Sequence, residues 1–213
     1  MITIIFVNQI CPDKLVTVTT ITIVENTLII VAEGFWILSN SSQLKRLIKT
    51  RNRKGLSAPN QTLNAAGNIA WATYFASRRL YVPMVTNLTM LIITVTTLAY
   101  TLGNRKQFIQ GLIAIAIVGP LTSYLLIEFP GISGWVGVSL NAVASAPWLV
   151  HVIRTKKTSG ISERSLFFSL GAIFCTLTYA LLIASAPLVV GCALGLVSVS
   201  TVMRYYYRYR HHN

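Results

Sequence analysis

Ser42-Gln43-Leu44-Lys45-Arg46-Leu47-Ile48-Lys49-Thr50-Arg51, closed by Gly55-Leu56-Ser57, returns about 105 positions later in another form. The second copy reads Pro147-Trp148-Leu149-Val150-His151-Val152-Ile153-Arg154-Thr155-Lys156, closed by Gly160-Ile161-Ser162. Identities fall at Leu44/Leu149, Ile48/Ile153, Thr50/Thr155, Gly55/Gly160 and Ser57/Ser162, with conservative pairs between them. Dropping one residue from the register carries the match on through Gly67/Gly171, Ile69/Ile173, Ala76/Ala180 and Pro83/Pro187. Apolar sequence gives two or three such matches by chance. It does not easily give a charged loop, its glycine and a later Gly/Pro pair in one register, so the chain reads as an internal repeat.

The sequence around the repeat is that of a membrane protein. Of 213 residues, 54% are hydrophobic and 11% charged, against about a quarter charged in a soluble domain. Mean hydropathy is +0.62, more apolar surface than one core can hold. Met90–Tyr100 and Leu112–Leu126 carry no charge. The apolar runs are continuous rather than alternating, which favours helices over a barrel. Seven helices are expected, over 22–43, 60–77, 82–102, 107–127, 132–153, 164–185 and 187–207, each near the roughly 20 residues a bilayer requires. Residues 1–21 are too short and too polar for a further span, and they lack the basic start of a signal peptide.

The net charge of +13 is distributed as topogenic charge rather than as a nucleic-acid surface. Basic residues cluster after the first helix (Lys45, Arg46, Lys49, Arg51, Arg53, Lys54), the third (Arg105, Lys106) and the fifth (Arg154, Lys156, Lys157, Arg164). Arg204, Arg208 and Arg210 close the chain, and only Lys14, Arg78 and Arg79 fall on the other side. Positive residues stay cytoplasmic. The N-terminus is therefore expected outside and the C-terminus inside, which an odd number of spans satisfies. The expected organisation is a 1–21 extracytoplasmic segment, a three-helix repeat over 22–103, a linker helix over 104–128, a second repeat over 129–207 and a cytoplasmic tail over 208–213. One linker helix between two odd triplets lets both face the same way, an arrangement of carriers with a site at the repeat interface.

The paired segments Q-L-x-x-x-I-K-T-x-x-x-x-G-L-S and P-W-L-x-x-x-I-R-T-x-x-x-x-G-I-S, with the three-one-three layout, resemble the PQ-loop superfamily. Within it, the chain is similar to the seven-helix SWEET (MtN3/saliva) sugar transporters, from about residue 24 onward. The PQ dipeptide is degenerate, Ser42-Gln43 in one copy and Pro147-Trp148 in the other. The resemblance implies a membrane carrier for a sugar or similar small neutral solute, working by alternating access without cofactor. A proline inside a helix removes a hydrogen bond and bends it, so Pro147 and Trp148 are expected to form a hinge, with Ser42 and Gln43 at the weaker counterpart.

Asn60, Asn64, Asn68 and Trp71 recur every three or four residues and share one helical face. Amides are costly against lipid and belong at a bundle interior. In the related sugar transporters, a tryptophan on the second helix and an asparagine on the third shape the pocket; Trp71 and Asn87 fall close to those positions. Their partners by repeat are expected at Cys175 and Gly191, small residues that depart from the family's paired asparagines. The expected substrate set is thus Trp71, Asn87, Asn68, Cys175 and Gly191. Glu33, the one carboxylate well inside a span, is a candidate proton site, with Asn141 as a neighbour. Glu25 and Glu128 read as solvated, and His151 as interfacial.

No nucleophile–base set, HExxH, GxSxG or phosphate loop is present, so an enzyme is not expected. Cys11, Cys175 and Cys192 have no metal-ligand spacing, and no metal is expected. A retinal protein would need a lysine in the last span, which 187–203 lacks. A proton-coupled amino-acid carrier or a non-transporting receptor on the same scaffold are the alternatives. The expected partners are a small solute and the lipid bilayer of the cell (plasma) membrane, with no nucleic acid; a homo-oligomer is left open.

Overall fold

Ser57 and Ser162, the serines that close the two related motifs, each start a helix. The Ser57 hydroxyl accepts from the Asn60 amide at 3.4 Å, and the Ser162 hydroxyl from the Ser165 amide at 3.4 Å. Each serine thereby satisfies one of the orphan donors of a first turn. The computed structural model describes the backbone of residues 12–53, 56–102, 104–129, 133–156, 158 and 160–209. Side chains are described from Ile23 on, apart from 118, 122, 125–127 and 133. Residues 1–11 with Cys11, the Lys14 side chain, Lys54, Gly55, Lys157 and the tail from Arg210 lie outside the described residues.

Seven helices follow in order: α1 (Pro12–Thr50), α2 (Ala58–Ser77), α3 (Tyr81–Leu102), α4 (Arg105–Glu128), α5 (Ser133–Thr155), α6 (Glu163–Leu182) and α7 (Ala186–Tyr209). No strand occurs among the described residues. The first helix is longer than its sequence suggests. It starts at Pro12, a residue suited to an opening turn, and runs through the β-branched stretch from Val16 to Val24. At its other end Lys45, Arg46 and Lys49 extend the helix instead of forming a loop, because no glycine or proline interrupts 42–50.

Chain reversals come from left-handed caps. Arg51 (φ 49°) donates to Leu47 O at 2.8 Å, and Lys156 (φ 55°) to Val152 O at 2.9 Å. After α2, Arg79 (φ 59°) donates to Ala76 O and Leu80 to Phe75 O; after α6, Ala184 (φ 51°) donates to Leu181 O and Ser185 to Ala180 O. These are the two bonds of a Schellman cap.

The helices pack in a defined pattern. α1 lies mainly against α6 and also on α3; α2 lies on α3, α4 and α5; α7 lies on α5 and α6; α4 barely meets α3 and α5. Close approach is set by small side chains. Ala32, Ala65, Ala70, Ala144, Ala172 and Ala180 are all fully buried. Large apolar side chains face outward on α1 and on every helix from α3 to α7, with Ile92 at 68% exposure and Val197 at 64%. Such a surface suits lipid and not water.

Five helices are long and apolar enough to cross a membrane: those within Ile23–Thr50, Tyr81–Leu102, Gly134–Thr155, Glu163–Leu182 and Ala186–Tyr209. The expected span in α2 falls short for a physical reason. Enclosed by α3, α4 and α5, α2 exposes no large apolar side chain among the described residues, and its amides are turned to the bundle interior rather than to lipid. Some side chains of α4 lie outside the described residues, and α4 is not among the five. In α3 the hydroxyls of Thr86, Thr89, Thr96, Thr97 and Thr101 each donate to the carbonyl four residues earlier. That self-satisfaction makes a threonine-rich helix compatible with an apolar surrounding.

Candidate functional site

Polar side chains at helical spacing converge on one cavity of about 340 Å³ between α1, α2, α3, α5, α6 and α7. Among the described residues, none from α4 lines it. From α1 come Glu33, Trp36, Asn40 and Gln43, a face with steps of three, four and three residues. From α2 come Asn60, Asn64, Asn68, Trp71 and Phe75, the face legible in the sequence; α3 adds Asn87, Met90 and Thr94. Opposite lie Val138, Asn141, Ser145 and Trp148 of α5, then Ser165, Ser169, Ile173 and Thr176 of α6, and Cys192, Gly195 and Val199 of α7.

The wall follows one numerical rule. Glu33 and Val138, Trp36 and Asn141, Asn40 and Ser145, Gln43 and Trp148 are each 105 residues apart, and both members line the cavity. The same separation joins Asn64 to Ser169, Trp71 to Thr176, Asn87 to Cys192, Met90 to Gly195 and Thr94 to Val199. No residue is lost from the register within α2 and α6, because both their caps are also 105 apart. The position that this offset pairs with Trp71 is therefore Thr176, not Cys175, which is half-buried and off the wall. Likewise the offset pairs Asn87 with Cys192; Gly191 lines the cavity, but as the neighbour of that position.

Some of the expected residues bind protein instead of facing open space. Gln43 clamps the approach to α6: its Nε2 donates to Gly160 O at 2.9 Å, and its Oε1 accepts from Ser162 N at 2.8 Å. Asn60 is buried; its Nδ2 donates to Ala144 O at 2.7 Å, and its Oδ1 accepts from Gln61 and Asn64. The Ala144 carbonyl lies three residues before Pro147, through which α5 continues unbroken. On the α1–α6 side, Ser39 Oγ donates to Ser165 O at 2.9 Å and meets Ser169 Oγ at 2.7 Å. Ser42 is half-buried and does not line the cavity, whereas Trp148 does.

Other groups keep capacity for a solute. Asn68 donates to Thr94 Oγ1 at 3.3 Å and Asn87 to Pro83 O at 2.8 Å, which leaves both Oδ1 atoms with no partner among the described residues. Asn141 makes no hydrogen bond among the described residues and is exposed where it lines the cavity. Trp71 is 8% exposed and stacks on Phe75 with centroids 5.5 Å apart, with Tyr74 edge-on at 5.5 Å. Its seat depends on Gly137, where a Cβ would stand 2.8 Å from the indole. Sequence reasoning passed over Gly137, since nothing local marks a glycine that serves a helix distant in the chain. It also passed over Trp36, although the spacing from Glu33 to Gln43 carried the signal.

Glu33 is 8% exposed and, among the described residues, is the only acidic or basic side chain in the wall. Its polar neighbour is Thr86 of α3, whose hydroxyl donates to Val82 O at 3.1 Å. Asn141 does not bond it. Among the described residues no group of three or more His, Cys, Asp or Glu side chains could hold a metal ion.

No family model, no curated protein and no solved structure matches the chain.

Proposed function

We propose that the chain is a membrane carrier that passes a sugar or similar small neutral solute through the central cavity by alternating access. The single observation that carries this reading is the cavity wall, built from six helices on one 105-residue offset with amides and indoles directed inward. A volume of about 340 Å³ lies at the small end of ligand cavities, roughly 300–1,000 Å³. Indole faces pack on the C–H faces of a sugar ring, and amides both donate and accept. A wall with one carboxylate and no base beside a nucleophile favours passage over catalysis.

The finer architecture belongs to the same reading. The chain consists of two three-helix repeats, α1–α3 and α5–α7, joined by α4, with seven spans, the N-terminus outside and the C-terminus in the cytoplasm of a plasma-membrane protein. Supporting the repeat, each packing pair has a counterpart: α1 on α3 and α5 on α7, α2 on α3 and α6 on α7, α1 on α6 and α5 on α2. The left-handed caps Arg51/Lys156 and Arg79/Ala184 obey the same offset. With the related motifs at Gln43 and Pro147, this supports a PQ-loop carrier of the SWEET type.

Counterflow of labelled glucose into proteoliposomes tests the proposal. Trp71→Ala and Asn87→Ala are expected to lower exchange by about tenfold, the scale at which loss of one anchoring side chain weakens binding. Unchanged exchange in both variants would remove the cavity from the pathway. A second reading, proton-coupled uptake, is favoured by Glu33 in the wall. It predicts uptake that follows an imposed pH gradient and stops in Glu33→Gln.

A further inference from the structure

The cavity's polarity is uneven. Glu33 brings a carboxylate to the α1 flank, and the position 105 residues on is Val138. Trp36 stands one turn from Glu33 on the same face, and Trp71 and Phe75 add a second aromatic surface. The free oxygens of Asn68 and Asn87 are acceptors, and both belong to α2 and α3. Among the described residues no lysine, arginine or histidine lines the wall, and none pairs with Glu33. A carboxylate buried to this degree requires compensation. Among the described residues its polar neighbour is Thr86, whose hydroxyl donates to Val82 O.

We infer that the cavity recognises a small hydroxylated amine, a polyol-sized solute bearing one ammonium group, with Glu33 as the counter-charge. The ammonium offers three donors, matched by the Glu33 carboxylate and the amide oxygens of Asn68 and Asn87 in the same wall, and the indoles favour a cation over their faces. Ring hydroxyls remain for Asn141 and the serines of α5 and α6. The inference rests on the cavity being a solute site, and it replaces the neutral solute of the previous reading with a singly charged one of similar size. The other compensator, a proton on Glu33, gives no such preference and is decided by the same experiment.

The test compares glucosamine with glucose, which differ by an ammonium in place of a hydroxyl, at a pH where the amine is charged. Binding is read by quenching of tryptophan fluorescence in the purified full-length chain, and counterflow is read in proteoliposomes. Wild-type protein is expected to bind glucosamine about tenfold or more tightly than glucose, the scale of a hydrogen bond to a charged group. Glu33→Gln is expected to level the two solutes while keeping glucose binding, and Glu33→Asp to retain the preference. Equal affinities in the wild type, or a preference that survives Glu33→Gln, overturn the inference; the wild-type comparison decides even if that variant fails to fold. Exchange of both sugars without preference defeats only the inference. Preferential binding without exchange defeats only the carrier reading, and binding of neither defeats both.

Discussion

Trp71 lies against a glycine of another helix, and that contact is as demanding as any in the cavity. A Cβ on Gly137 would stand 2.8 Å from the indole, so Gly137→Ala has to displace the ring or the helix. Overpacking of this kind costs about 1–3 kcal/mol. The variant is expected to lose thermal stability, to shift its tryptophan emission and to bind solute more weakly; unchanged values would mean that the indole is not held there. Asn60 makes the opposite kind of contribution. Its amide is fully used in joining α2 to the Ala144 carbonyl of α5. Asn60→Ala strands that carbonyl and two amide donors, a cost of about 1–3 kcal/mol. A fall in Tm of several degrees in detergent is expected, with solute affinity largely retained in the folded fraction. Loss of affinity without loss of stability would make Asn60 a solute ligand instead.

Among the elements, α4 and α1 test how the bundle divides its labour. α4 covers α2, and none of its described side chains lines the cavity. Gly119 meets Ile69 so closely that a Cβ would lie 2.5 Å from its Cδ1. Gly119→Leu should therefore loosen α4 from α2 and lower Tm, by about 1–3 kcal/mol in stability, without changing solute affinity. A variant of normal stability and reduced affinity would place α4 in the site. α1 is tied to the start of α6 by the Gln43 clamp. Gln43→Leu removes both bonds, and amide hydrogen exchange across Ile161–Ser165 is expected to accelerate; unchanged protection would show that the α6 cap holds without Gln43. Cover by α4 also accounts for a difference between α2 and α6. The uncovered helix exposes Phe167, Phe174 and Leu181, and the covered one is free to carry a row of amides.

For the molecule as a whole, the sequence disclosed the helical class, the positions of six of the seven helices within a few residues, and the polar face of α2. Apolar periodicity and Gly/Ser punctuation carry that information locally. The start of α1 was not legible, because β-branched residues from Val16 to Val24 hold a helix only weakly on their own. The register of the repeat was legible near the charged motifs and then slipped by one within α2 and α6. There, apolar residues match each other at several offsets, which puts Cys175 in the place that the 105-residue offset gives to Thr176. Caps fix the register, and caps are backbone events that a side-chain comparison does not see. Gly137, Ser39 and the Ser165–Ser169 pair became visible only when distant helices met.

The central claim is that the six-helix cavity is open to solute from each side of the membrane in turn. Asn141 is exposed in its wall and makes no hydrogen bond among the described residues, which makes it a suitable reporter. In a variant with Cys11, Cys175 and Cys192 replaced by serine, Asn141→Cys can be labelled with a membrane-impermeant thiol reagent added to right-side-out or inside-out vesicles. The account predicts labelling from both faces, slowed by saturating solute in each case. Labelling confined to one face, or to neither, would contradict it.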